Sequence, residues 1–214
     1  MHSPIIRKIH PQNPQPDIIY RAAEIIKSGG VVAFPTRCLY GMGVDAFNPV
    51  AVNKVFEIKR RPAENPILVL IENKGQLDRL VRDVPASALQ IMDYFWPGRV
   101  TIVFEAIASL PDNLTAGTAK IGVRMPGHAV ALELVKAAGG PITGTSANLS
   151  GNPGCHSVGE LVPAVARQMD FILDAGTLAG GPGSTVIDLT AKRPRVLREG
   201  EVTARDIMKI LNRT

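Results

Sequence analysis

Two cysteines, Cys38 and Cys155, in 214 residues cannot staple a disulfide framework, so a reducing cytoplasm is the expected compartment. Aromatic residues make up only 5 % and sit mainly in apolar runs, which counts against a surface that stacks on unpaired bases. No apolar run approaches the ~20 residues needed to span a bilayer. The opening Met1-His2-Ser3-Pro4 starts no apolar signal stretch. The four histidines, His2, His10, His128 and His156, lack metal-ligand spacing, so no protein-held metal is expected. There is no internal repeat and no low-complexity linker. The formal charge of +5 favours an anionic partner, but Lys and Arg are spread from end to end rather than gathered into the stripe of a dedicated nucleic-acid binder.

What is present is a core. Hydrophobic residues are 45 % and charged residues 20 %, ordinary for a soluble globular enzyme. A chain of this length can bury roughly 70 % of its unfolded surface. One domain over residues 1–214 is expected, with a core at about 16–200 and a C-terminal helix at about 203–213. Pro16 to Ser28 has the apolar spacing of a helix, stopped by Gly29. Val31 to Phe34, Val100 to Glu105, Lys120 to Arg124, Pro141 to Thr145, Phe171 to Leu173 and Thr185 to Leu189 read as strands. Leu77, Leu80 and Val81 suggest a short helix; Ala86 to Trp96 and His128 to Ala138 suggest longer ones. Ser157 with Glu160 resembles a capping box before a helix reaching about Met169, and Thr203 with Asp206 opens a final helix. Strands and helices alternate too regularly for segregated α and β domains. The expected fold is α/β: a single domain around a twisted, mixed β-sheet flanked by helices.

The stretch from Asn48 to Ile71 concentrates the functional signal. Asn48 and Pro49 have the form of an N-cap and first-turn proline, and Pro62 cannot continue the helix they open. Ile67 to Ile71 reads as a buried strand. Lys59 and Arg61 therefore leave a helix at the rim of the core. They could simply complement the helix dipole. The second prolyl turn, Asn65-Pro66, instead makes a stiff segment suited to gripping a polyanion.

Other segments allow less. Cys38 follows a strand with Arg37 beside it, which could lower its pKa, but no base accompanies it. Gly144-Thr145-Ser146-Ala147-Asn148 lacks the last glycine of a nucleophile elbow. It can be a plain polar turn, or part of a ring of neutral donors (Thr143, Thr145, Ser146, Asn148) at a strand end, where open α/β sheets bind ligands. Gly180-Gly181-Pro182-Gly183-Ser184-Thr185 lacks the Gly-Lys-Ser/Thr ending of a Walker loop. Arg124 and Arg198 end apolar segments, where a guanidinium can fork onto a carboxylate or phosphate.

In order along the chain, Pro35-Thr36-x-x-x-Tyr40-Gly41, Lys59-x-Arg61-Pro62 with Asn65-Pro66, Gly122-Val123-Arg124-Met125-Pro126, Ser146-Ala147-Asn148-x-Ser150-Gly151, Ser184-Thr185-Val186-Ile187-Asp188 and Val196-Leu197-Arg198-x-Gly200 resemble the motifs of the YrdC-like family, the threonylcarbamoyl-AMP synthases. The resemblance runs from about Ile18 to Gly200. It implies a YrdC-like fold and a nucleotidyltransferase that makes threonylcarbamoyl-AMP and pyrophosphate from L-threonine, bicarbonate (or CO2) and ATP, for threonylcarbamoyladenosine in tRNA. It implies that Lys59, Arg61, Ser146 and Asn148 form the catalytic set around the phosphates, that Asn65 and Arg198 also touch ATP, and that Thr36, Arg124 and Ser184 hold threonine. ATP and Mg2+ are the implied cofactors, with Mg2+ held largely by ATP oxygens and water. It admits tRNA and a tRNA threonylcarbamoyl transferase complex as further partners.

The chain also departs from the family pattern. Arg37 and Cys38 replace an acidic residue and a threonine, Leu70 replaces a histidine near threonine in longer relatives, and Lys120 replaces a threonine and would add charge near the nucleotide. Ile9-His10-Pro11-Gln12-Asn13-Pro14-Gln15 and the spacing near Arg198 resemble the YciO-like branch, although the Ser-x-Asn motif that this branch often loses is kept. Ending at Thr214, the chain is expected to lack the extra C-terminal domain of longer synthases. Two other readings remain: an RNA-binding module for tRNA or rRNA, and a carbamoyl-handling enzyme with a different acceptor.

Overall fold

The computed structural model describes residues 3–212. The strands, in chain order, are β1 (Ile5–Lys8), β2 (Val32–Pro35), β3 (Tyr40–Gly43), β4 (Val69–Leu70), β5 (Val100–Glu105), β6 (Lys120–Arg124), β7 (Ile142–Thr143), β8 (Thr145–Ser146), β9 (Phe171–Asp174), β10 (Thr185–Asp188) and β11 (Arg195–Arg198). The helices are α1 (Pro16–Lys27), α2 (Pro49–Lys59), α3 (Ala86–Phe95), α4 (Asp112–Thr115), α5 (Ala129–Ala138), α6 (Pro163–Ala166) and α7 (Ala204–Leu211). No described helix is long and apolar enough to cross a membrane. The end of the expected last helix, at Arg213, lies outside the described residues, as does His2.

The architecture is mixed α/β as expected, but the strands divide into two sheets rather than one. One sheet runs β1-β9-β2-β3-β8 and the other β11-β10-β5-β6-β4-β7. Each contains parallel and antiparallel pairs. The expected strand over Pro141 to Thr145 is where the chain changes sheets, so it appears as β7 and β8 with Gly144 between them. Gly144 N–H donates to the Leu68 carbonyl at 2.9 Å, and a Cβ there would lie 2.6 Å from Leu70 Cγ. On the neighbouring strand a Cβ at Gly43 would sit 2.4 Å from the Thr143 carbonyl oxygen. The two sheets approach closely here because both positions lack side chains.

A large apolar core lies between the sheets and under α2, α3 and α7, with Val52, Val55, Ile102, Val123, Ile187 and Ile207 in it. A second core packs α1 and α5 on the outer face of the five-stranded sheet, around Phe34, Phe171, Leu134 and Leu70. The α2 boundaries follow the sequence signals. Asn48 Oδ1 accepts from the Val50 and Ala51 N–H groups, and Arg60 turns left-handed at φ 48° to end the helix before Pro62.

Three expectations fail locally. Of Ile67–Ile71, buried almost throughout, only Val69 and Leu70 pair in the sheet. Lys74–Arg79 is a 3-10 helix, with Leu80 and Val81 beyond its end. No capping box forms at Ser157: its side chain makes no cap bond, and Glu160 accepts from the His156 N–H at 2.9 Å. A short 3-10 turn (Val158–Glu160) and the one-turn α6 replace the long helix, because Pro163 forces Val162 out of helical dihedrals.

Candidate active site

A cavity of about 720 Å³ opens between the two sheets. Its walls come from the β2–β3 turn, the segment after α2, and strands β5, β6, β8, β10 and β11. Seven of the nine residues nominated from the sequence line it: Thr36, Arg61, Asn65, Arg124, Ser146, Ser184 and Arg198. Lys59 and Asn148 stand behind its wall.

Lys59 is therefore not a rim residue. It is only 2 % exposed. Its Nζ donates to the Ser146 carbonyl at 2.5 Å, the Asn148 carbonyl at 2.8 Å and Asn148 Oδ1 at 3.0 Å. Its own carbonyl accepts from Ser150 N–H at 2.8 Å. Ser146 Oγ donates to Asn148 Oδ1, whose amide nitrogen reaches the Asn152 carbonyl. One ammonium thus ties the end of α2 to the 146–150 turn and fixes the Ser146 hydroxyl at the cavity wall. Burial, with help from Arg61, lowers the Lys59 pKa to about 8.

Three arginines face the same space. Arg61 is half-buried and braces its own turn, with Nε donating to the Asn65 carbonyl and Nη2 to the Pro66 carbonyl, both at 2.9 Å. The prolyl turn thus pre-orients the guanidinium, and Asn65 is an exposed residue of the cavity lining. Arg198 is exposed as a residue, but its guanidinium lies against the wall, donating from Nη2 to the Ser184 carbonyl at 2.7 Å. Arg124 is different: its Nε is buried and has no hydrogen-bond partner. Burial, reinforced by Arg198, lowers its pKa to about 10, against the opposing pull of Glu201 and Cys38. Partial desolvation lowers Arg61 and Arg198 as well. Three poorly solvated cations around one cavity make a strong site for anions.

Several expected contributors are engaged by neighbouring groups or lie off the cavity. The Thr36 hydroxyl donates to the Leu39 carbonyl at 2.6 Å and shapes the β2–β3 turn. Thr143 is buried, outside the cavity lining, and accepts from Val44 N–H, so the ring of neutral donors reduces to Thr145 and Ser146 at the cavity. Leu70 is fully buried beneath Gly144; Leu68 lines the cavity instead. Lys120 does line it, but its charge is met by Asp188 at 3.0 Å. Burial would raise the Asp188 pKa, yet hydrogen bonds from Thr190 and Lys120 outweigh it and hold the carboxyl low.

Sequence reasoning missed Thr101 and Glu201. Thr101 shares a 2.8 Å hydrogen bond with Ser184 Oγ across the β5–β10 pair, which alternation in β5 places on the cavity face. Glu201 lies just past the Arg198-x-Gly200 motif. Its two oxygens take Arg37 Nε at 2.9 Å and the Cys38 thiol at 3.4 Å. Burial and this bond raise the Cys38 pKa, so Arg37, occupied by Glu201, does not activate the thiol. Among the described residues no cluster of three His, Cys, Asp or Glu side chains could hold a metal.

The Sua5_yciO_yrdC family model, described as telomere recombination, matches residues 24–200. The chain belongs to the Sua5/YciO/YrdC family. Within the family it is 38 % identical over 190 residues to a threonylcarbamoyl-AMP synthase of Pyrococcus abyssi, an alignment covering 89 % of this chain and 56 % of that protein. The chain thus spans little more than half the length of that curated relative. The crystal structure of P. abyssi Sua5 complexed with L-threonine superposes with a TM-score of 0.92 at 36 % identity, covering 97 % of this chain and 61 % of that one. Escherichia coli YciO superposes at 0.87 with 30 % identity, covering 95 % and 99 %.

Proposed function

We propose that this Sua5/YciO/YrdC protein is an L-threonylcarbamoyl-AMP synthase. The amine of L-threonine combines with bicarbonate to give a carbamate and water; a carbamate oxygen attacks the α-phosphorus of ATP, and pyrophosphate leaves with the bonding electrons. The observation that carries the reading is the cavity itself: Arg61, Arg124 and Arg198 converge on it with the Ser146 turn held from behind by Lys59, in a chain 36 % identical to a Sua5 protein crystallised with L-threonine. The family motifs support the nominated roles. Arg61, Asn65, Ser146 and Arg198 would meet the nucleotide, and Lys59 and Asn148 would position the Ser146 turn. Arg124, with its free Nε, would take the threonine carboxylate, beside Thr36 and Ser184.

Positioning and electrostatic stabilisation suffice for this chemistry, because negative charge builds on the departing pyrophosphate and needs no protein nucleophile. Mg2+ would enter on ATP oxygens and water. Among the described residues the cavity's carboxylates, Asp188 and Glu201, belong to no cluster of three ligating side chains, so they do not fit a dedicated metal site. The product would serve tRNA threonylcarbamoylation in the cytoplasm, with tRNA and a transferase complex as downstream partners.

Purified protein with Mg2+, ATP, L-threonine and bicarbonate is expected to release pyrophosphate, and omission of threonine or bicarbonate to return release to background. Added tRNA is not needed for this half-reaction. Release indifferent to the amino acid would overturn the reading in favour of another carbamoyl acceptor. No release together with salt-sensitive RNA binding would favour the RNA module.

A further inference from the structure

Arg124 and Glu201 form an unusual pair of neighbours. Both line the cavity, and Glu201 is close enough to pull the Arg124 pKa upward, yet the two make no ion pair. Arg124 is left with a buried, unpartnered Nε. Glu201 is clamped from the other side: Arg37 holds one oxygen and the Cys38 thiol the other. An ionised carboxylate accepts about four hydrogen bonds, so each oxygen keeps a free lone pair. The Arg37 side chain is 56 % exposed and Glu201 only 15 %, which puts the arginine outside and the carboxylate inside. A fixed cation and a fixed anion thus face one space without cancelling each other. The small molecule that matches them is a zwitterion whose ammonium and carboxylate groups are borne by one carbon.

We infer that Glu201 is the group that takes the amino-acid nitrogen, so that Arg124 and Glu201 together select a primary α-amino acid. This rests on the synthase reading and adds a specificity-determining residue to it. The amine keeps one N–H after it becomes a carbamate, and Glu201 can accept from nitrogen in both states. The new carbamate oxygens are anionic. Glu201 repels them, turning them away from itself and toward the arginines at the phosphate end. The Arg37–Glu201 pair also joins the β2–β3 turn to the segment after β11, so the amine-binding wall is built from both sheets.

Calorimetric titration of the full chain with L-threonine and with 3-hydroxybutanoate, its analogue without the amine, tests this in wild type and Glu201→Gln. Wild type is expected to prefer threonine. In the variant threonine affinity should fall about 10-fold or more, while 3-hydroxybutanoate and Mg-ATP bind as before, so that discrimination between the two acids disappears. Equal weakening of both acids would make Glu201 a mere wall residue and overturn the inference, as would an unchanged preference. If Glu201→Gln does not fold, Glu201→Asp, which keeps the charge but retracts it, gives the same readout. Wild-type protein that makes pyrophosphate, with a variant that still discriminates, removes this inference alone. Wild type that does not bind threonine removes the synthase reading with it.

Discussion

Lys59 directs its ammonium to three acceptors of the protein itself. Only the charged ammonium has three protons for the Ser146 carbonyl, the Asn148 carbonyl and Asn148 Oδ1. Since its pKa is lowered to about 8, kcat/KM for ATP should fall as pH rises past that value, and a pH–rate profile checks it. Stability should run the other way. Below about pH 8 both folded and unfolded chains hold the proton and the burial penalty is felt in full; between about 8 and the usual lysine value of 10.5 only the unfolded chain holds it, so this residue's contribution to folding improves as pH rises. Lys59→Ala should lose activity and also destabilise by about 1–3 kcal/mol or more, because buried acceptors are left unpaired. Arg61→Ala should lose activity with little change in melting temperature, its partners being carbonyls of an exposed turn. The sequence put these two residues on the same footing. The helix end and the proline break were visible in it, but which of two cations turns inward depends on a turn nearly ninety residues away.

At the scale of elements, α2 is the part most closely specified by its own residues. Asn48 caps it and the left-handed Arg60 ends it, so Lys59 is delivered at a fixed place. Asn48→Ala should cost about 1 kcal/mol, a drop of roughly 2–4 °C in melting temperature for a chain of this size. Thr203, which accepts from Asp206 N–H, was as legible for the same reason. Caps, prolines and helical spacing act within a few residues and leave their mark in sequence. β3 left none: Tyr40-Gly41-Met42-Gly43 holds two glycines, poor strand formers, and is a strand only because β2 and β8 flank it. Ser157 and Glu160 failed the opposite way, since the local motif was present but His156 claimed the carboxylate. Leu70 belongs with these. The family resemblance suggested the amino-acid niche for it, whereas Leu70 lies fully in the second core, and Leu68, just before β4 and packed against the same core, reaches the cavity lining instead.

For the whole molecule, the decisive fact is that the cavity has no wall of its own. Residues from both sheets surround it, so a ligand that fills it also ties the sheets together. Mg-ATP with threonine at about 100 times their dissociation constants should stabilise the fold by roughly 2.7 kcal/mol per ligand bound to the native state alone. A thermal-shift assay should show a rise of about 5–10 °C, larger for both ligands than for either one. Alternating strands and helices announced an α/β chain, but how strands group into sheets is set by long-range pairing, and no local pattern encodes it. That pairing also governs timing. β9, made late, enters between β1 and β2, made first, and the last cavity residues, Ser184, Arg198 and Glu201, follow it. During synthesis the residues before β9 therefore emerge without a complete cavity. The pocket proposed for ATP is complete only once residues up to Glu201 have been made, so that ligand cannot help the earlier segments fold and can only hold the assembled domain.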